Sequence, residues 1–100
     1  MPRIDVLELE WREAARADLL SIVEYIAQDN ADAALALVTE IEEKSERLRE
    51  QPKLYRPGRV RGTREMVVRP NYVVVYSEST IAVTILRVLH AAQMWPPARL

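Results

Sequence analysis

Hydrophobic residues follow two different periods along this chain. In the first half, Trp11, Ala15, Leu19, Ile22, Val23 and Ile26 recur mostly in steps of three and four, on one face of a helix beginning near Glu10. Ala34, Leu37, Val38, Ile41, Ser45 and Leu48 repeat that spacing and predict a second helix. Asp29 and Asn30 end the first helix and can cap the second, because their short polar side chains accept bonds from the unpaired amides of a helix start. So short a link predicts an antiparallel helical hairpin over residues 10–50. Its outer face carries Glu40, Glu42, Glu43, Lys44, Glu46 and Arg47, an ordinary solvated surface. Ahead of the hairpin, Ile4, Val6 and Leu9 predict a short strand.

Gln51-Pro52 ends the second helix, since proline has no amide donor and restricts the residue before it. Beyond the turn signal Pro57-Gly58 the period falls to two. Arg64 to Arg69, Tyr72 to Ser77 and Ile81 to Leu89 are rich in Val, Ile, Thr and Tyr and predict three strands, with turns at Pro70-Asn71 and Glu78-Ser79-Thr80. Consecutive strands with short links form an antiparallel meander. The expected fold is therefore α+β. A short N-terminal strand leads into an antiparallel helical hairpin, packed on a C-terminal three-stranded antiparallel meander over residues 59–90, in the order β-α-α-β-β-β. In the middle strand Tyr72, Val74 and Tyr76 alternate with Val73 and Val75. In the last, Ile81, Val83 and Ile85 alternate with Ala82, Leu86 and Val88. Both sheet faces are thus apolar, and one hairpin covers only one of them. The pattern points to another chain, rather than the C-terminal tail, as the cover for the second.

One hundred residues make a single domain, 1–100, and 49% hydrophobic residues suffice for a core. Without cysteine there is neither a disulfide framework nor a thiolate metal site. The lone His90 has no neighbouring carboxylates with which to hold a metal, so no metal or other cofactor is expected. No basic-then-apolar leader is present and no apolar run approaches ~18 residues, so a cytoplasmic protein without membrane contact is expected. Charge is divided between the two halves of the chain. Residues 1–50 hold 13 Asp and Glu against 6 Lys and Arg, a charge of −7, whereas residues 51–100 hold 8 Lys and Arg against 2 Asp and Glu, a charge of +6. A basic surface concentrated at Lys53, Arg56, Arg59 and Arg61 suits an acidic partner, nucleic acid or protein, although a plain solvated loop has the same composition.

Gly62-Thr63-Arg64-Glu65, Asn71-Tyr72-Val73-Val74-Val75-Tyr76 and Ile85-Leu86-Arg87-Val88-Leu89-His90 resemble the RelE/ParE toxin superfamily, in that order. Ala17-Asp18-Leu19 and Tyr25-Ile26-Ala27 look like its first helix, and Leu48 to Gly58 matches as well, so the resemblance covers nearly the whole chain. It implies the toxin of a type II toxin–antitoxin module, which arrests growth when a labile antitoxin is degraded. The implied partner is a cognate antitoxin with a DNA-binding N-terminal part and an acidic, amphipathic tail that wraps the toxin. Contact with DNA would then belong to the antitoxin alone.

RelE-like members of the superfamily cleave mRNA in the ribosomal A site; ParE-like members inhibit DNA gyrase. Cleavage needs groups that activate the 2′-hydroxyl, steady the phosphate and protonate the leaving oxygen. Arg64, Glu65, Arg69, Arg87 and His90 are the catalytic candidates for a nuclease, with Tyr76 in reserve; Arg87 and His90 lie where RelE-like enzymes keep catalytic residues. Two departures weigh against a nuclease. Many RelE-like nucleases carry an arginine after the tyrosine that opens the middle strand, where this chain has Val73. Another subgroup has a histidine and an aspartate at the positions of Val67 and Asn71, neither of which transfers a proton. The long hairpin and a pI near 5.8 point the same way. The resemblance therefore implies gyrase inhibition, with ribosome-dependent mRNA cleavage as the alternative. Contact with target or antitoxin falls to Arg56, Arg59, Arg61, Arg64, Tyr72, Tyr76 and Trp95.

Plainer readings stand beside these. His90 could serve only as a hydrogen-bond donor at a strand end, and Arg64 and Glu65, on opposite faces by alternation, could be surface residues. Trp11 belongs to the core, whereas Trp95 either lids the open sheet face or anchors a partner. Without the resemblance, the residues also allow a noncatalytic module that dimerises through a bare sheet face.

Overall fold

The computed structural model describes residues 6–93 and 95–97. Its elements run β1 (Glu8–Trp11), α1 (Glu13–Ala27), α2 (Ala31–Arg47), β2 (Arg56–Pro57), β3 (Arg64–Arg69), β4 (Tyr72–Glu78) and β5 (Ala82–His90). The helical hairpin forms where the spacing predicts it. Asn30 is the cap of α2, its side-chain oxygen accepting from the Ala33 amide at 3.0 Å. Trp11 departs from expectation: it closes β1 opposite Ile85 instead of opening α1, because its backbone is already committed to the sheet. Val6 precedes the strand, and Ile4 lies outside the described residues.

The expected meander is the centre of a larger, mixed sheet of order β1-β5-β4-β3-β2. Strand β1 runs parallel to β5, with Leu9 opposite Val83. Strand β2 pairs antiparallel with β3 through Arg56 opposite Glu65 and Pro57 opposite Arg64. The N-terminal strand is expected, but falls further along the chain than Ile4, Val6 and Leu9 put it; its pairing with β5 and the whole of β2 are not expected. A pair of residues leaves no local alternation to detect, and a strand's own alternation does not name a partner at the far end of the chain.

One sheet face meets the helices. Leu37, Ile41, Met66, Val74, Tyr76 and Ile85 are all fully buried there, with Leu9, Trp11 and Leu19 packed around them. The register of β5 is not the uniform alternation the sequence suggests. Val75 lies opposite Arg87 while Tyr76 lies opposite Ile85, so Leu86 is an extra residue that turns the strand. The bulge moves Val88 onto the helix side with Val83 and Ile85, and Ile81 falls before the strand, exposed.

The second face carries Val73, Val75 and Leu89, with Leu86 and Trp95 packed on them. Val75 is fully buried within this single chain. The expectation that another chain covers this face is corrected for Val73, Val75 and Leu89, on which Trp95 packs as the lid that was the other reading of that residue, while Val67, opposite Val73, stays 43% exposed. Among the described residues no helix is long and apolar enough to cross a membrane.

Candidate functional site

The basic residues after the hairpin are held in a tight loop between β2 and β3. Gly58 donates to the Thr63 carbonyl at 2.7 Å, and the Thr63 hydroxyl donates to the Val60 carbonyl at 2.6 Å. The turn closes at Gly62, whose φ of 84° is the left-handed conformation that side chains disfavour. A Cβ on Gly58 would collide with the Thr63 side chain, so the two strands approach this closely only with glycine there.

Glu65, 2% exposed, anchors this loop from beneath. It accepts from the Arg59 amide at 2.8 Å, from Arg59 Nε at 3.0 Å and from Arg56 at 3.4 Å. Burial pushes its carboxyl pKa up, but the side-chain and backbone bonds from Arg59 outweigh that and hold it below the usual carboxylate range. A carboxylate engaged this way orients arginines and is a poor proton acceptor.

On the helix side of the same strands lies a cleft of about 770 Å³, bordered by Leu7, Lys53, Arg64 and Glu78. Arg64 Nε donates to Glu78 at 3.0 Å and its terminal nitrogen to the Tyr55 carbonyl at 2.7 Å. Lys53 reaches the same Glu78 oxygen at 3.4 Å. Tyr76, opposite Arg64 and fully buried, donates to the Pro52 carbonyl at 2.7 Å. Burial pushes its hydroxyl to about 12, so it remains a donor at neutral pH and ties the segment after α2 to the sheet.

A third cluster sits where β5 passes α1. Asp18 accepts from Arg87 Nε at 2.7 Å, from a terminal Arg87 nitrogen at 2.9 Å and from the Val88 amide at 2.9 Å. This bond raises the Arg87 pKa above its already high ordinary value. The other side of the guanidinium faces the Trp95 ring, 5.7 Å from its centroid. Arg87 thus joins α1, β5 and the C-terminal segment. His90, exposed at the strand end, has its edge set against Tyr72, with ring centroids 5.5 Å apart. Its Nδ1 accepts from the Ala92 amide at 3.1 Å, which leaves Nε2 as the outward nitrogen.

Arg69 lies apart from all three, donating to Glu40 of α2 at 2.8 Å, and Lys44 donates to the Val68 carbonyl at 3.4 Å. Glu40 and Lys44 are therefore interface residues between helix and sheet, not simply solvated surface. The β-bulge between Val67 and Arg69 turns Arg69 toward the helix.

The structure brings Arg56 and Arg59 together on Glu65, Arg64 beside Tyr76, Tyr72 against His90, and Arg87 against Trp95. Of the nuclease candidates, only Arg87 and His90 share a cluster. Among the described residues, no hydrogen bond joins any two of Arg64, Glu65, Arg69, Arg87 and His90. Arg61 stands exposed at the loop. Sequence reasoning missed Asp18, which organises the third cluster. Its signal was there: Asp18 falls between Ala15 and Leu19 on the apolar stripe of α1, where a charge needs a buried partner.

A family model described as the ParE toxin of the type II toxin-antitoxin system parDE matches residues 9–95. The Sinorhizobium fredii protein named "Putative toxin Y4kP" is 39% identical over 89 residues, covering 88% of this chain and 92% of its own. Toxin RelE2 of Caulobacter vibrioides is 33% identical over 87 residues, covering 87% and 98% respectively. The solved chromosomal ParDE system from P. aeruginosa shares the fold, with a TM-score of 0.75 at 24% identity over 86% of this chain and 97% of that chain. With its sheet, its hairpin and nearly its full length accounted for, the chain belongs to the ParE toxin family of type II toxin–antitoxin systems, within the RelE/ParE toxin superfamily.

Proposed function

We propose that this toxin inhibits DNA gyrase in the cytoplasm rather than cleaving mRNA, and that a cognate antitoxin neutralises it. One observation carries the choice of target. Arg64, Glu65, Arg69 and Arg87 each spend their charge on an opposite charge within the chain, and His90 uses Nδ1 on a backbone amide. General acid–base cleavage needs a base, a phosphate clamp and an acid converging within hydrogen-bond reach of one reacting group. These five side chains are instead spread over three clusters and the end of β3. An inhibitor that works by occupying a surface needs only a stable shape and exposed contacts, and the loop with Arg56, Arg59 and Arg61 supplies those.

The match to the ParE toxin model over residues 9–95 supports the same side. The relatives named as toxins, together with the ParDE system whose fold is shared, support an antitoxin partner. The dimerising-module alternative keeps little surface, because Trp95 and Leu86 already pack on Val73, Val75 and Leu89 of the face through which such a dimer would form.

The test is induced expression in a bacterial host with separate pulse-labelling of DNA and protein synthesis. DNA synthesis should fall first, and His90→Ala should arrest growth as wild type does. Protein synthesis stopping first, with codon-phased cuts in transcripts, would overturn the gyrase reading and make Arg87 and His90 catalytic.

A further inference from the structure

We infer that the outer groove of the helical hairpin is a self-association surface, on which a second copy of this chain packs to form a two-fold symmetric four-helix interface. Such pairing is independent of the choice of target in the proposed function. Its physical basis is a pair of apolar stripes wider than the sheet can cover. The three-and-four spacing puts Val23 on the stripe of α1 and Val38 on that of α2, yet neither packs into the core cluster beneath the hairpin. With Leu20, which is 59% exposed, they line a groove of about 300 Å³ between the two helices. Trp11 and Leu19, which also pack on the core, line it as well. Leu35, 65% exposed, lies outside the groove itself, one turn before Val38 on the same side of α2.

Charge selects the occupant. Arg16 and Glu42 line the groove, one from each helix, and among the described residues neither has an ion-pair partner within the chain. Their heights along the hairpin match. Counting back from the turn between Ala27 and Ala31, Val23 is about level with Leu35, Leu20 with Val38, and Arg16 with Glu42. Consider a two-fold axis that runs along the hairpin, between the helices and in the plane of their outer face. At every level, α1 of one copy then meets α2 of the other. Arg16 faces the partner's Glu42, and the same pair recurs on the other side of the axis. Leu20 meets the partner's Val38, and Val23 the partner's Leu35. Each helix is antiparallel to both of its neighbours, as in an up-down four-helix bundle.

A nucleic acid fits this face poorly, because the groove carries one charge of each sign within a half of the chain at −7. A second copy supplies the complement of both charges and buries the exposed leucines at once. The same −7 makes two copies repel, so apolar contact carries the affinity. The face is also small. Helix α1, of 15 residues, is about 22 Å long and two helices side by side are about 20 Å wide, at the lower end of specific interfaces. Association on the order of tens of micromolar is expected.

Sedimentation equilibrium of the full chain, from about 5 to 200 µM, tests this. The average mass should rise with concentration from that of one chain towards that of two. Arg16→Glu alone and Glu42→Arg alone each place like charges opposite one another, and each should weaken association about tenfold. An equimolar mixture of these two variants should recover it, since a mixed pair has opposite charges at both contacts. Leu20→Ser should weaken it at least as much, whereas Val67→Ser, on the second sheet face, should leave it unchanged. All four substituted side chains are exposed or lie at the groove surface, so the fold persists, which circular dichroism checks. A monomer at every concentration overturns the inference. So does a mixture that stays as weak as its components, or a loss on Val67→Ser equal to that on Leu20→Ser.

Discussion

The two faces of the sheet both bury apolar side chains, yet they are covered by unequal means. The helix side is covered by two helices whose apolar stripes include Leu37 and Ile41, and a dozen buried side chains form one continuous cluster. The opposite side has three buried aliphatic residues, and Trp95 with Leu86 is packed on them. What holds the cover also differs. Helices are fixed by many contacts of similar size, so no single one decides the packing. Trp95 is held by its ring contacts and by Arg87, which is itself held by Asp18. The helix face is redundant, whereas the second face depends on a short chain of named groups.

That difference can be broken experimentally in a graded way. The largest loss should follow Leu37→Ala, which leaves a cavity in the continuous cluster and should cost about 3 kcal/mol in urea unfolding. Asp18→Ala should come next, at about 2 kcal/mol, since it orphans both the Arg87 guanidinium and the Val88 amide. Trp95→Ala should cost about 1.5 kcal/mol, below the value for a fully buried tryptophan, because this side chain is only half-buried. A double-mutant cycle between Asp18 and Trp95 should return a coupling of about 0.5 kcal/mol, whereas Leu37 and Trp95 should be additive. A null Asp18–Trp95 coupling would dissolve the proposed chain through Arg87.

The smallest effect is one of pH. The folded Glu65 carboxyl is held below its ordinary value of 4.5, so its contribution to stability is fully present above that value. It is lost as pH falls through the lower folded value. Glu65→Gln should therefore be less stable than wild type at pH 7, and the gap should close steadily below about pH 4.5. Glu40 is lowered as well, chiefly by its bond from Arg69, and stays in both proteins, so it cancels from the comparison. A gap that persists unchanged at pH 3 would mean that Glu65 acts through its shape and not its charge.

Legibility followed the same division. The helix face could be read from residues alone. The three-and-four spacing identified Leu37 and Ile41, and strict alternation placed Tyr72, Val74 and Tyr76 together. The second face could be read as apolar but not as covered. Nothing local in Gln93 or Trp95 says where that segment returns, and the bulge at Leu86 is invisible to a count of alternating positions. The site fared similarly. The basic loop was visible as composition, but its Glu65 anchor required Arg59 and Glu65 to be seen face to face.

Local information thus determined the helical hairpin, the three central strands, the charge division between the halves and the resemblance to the toxin superfamily. Each rests on residues close together in the chain, where sterics, capping and side-chain period act directly. Tertiary structure alone decided the parallel pairing of β1 with β5, the packing of Trp95 on the second face and the partners of Arg56, Arg59, Arg64, Arg69 and Arg87. Those depend on which distant groups meet, and a charged side chain takes its role from the neighbour it finds. Asp18 and Arg87 are 69 residues apart, and only the fold makes them one group.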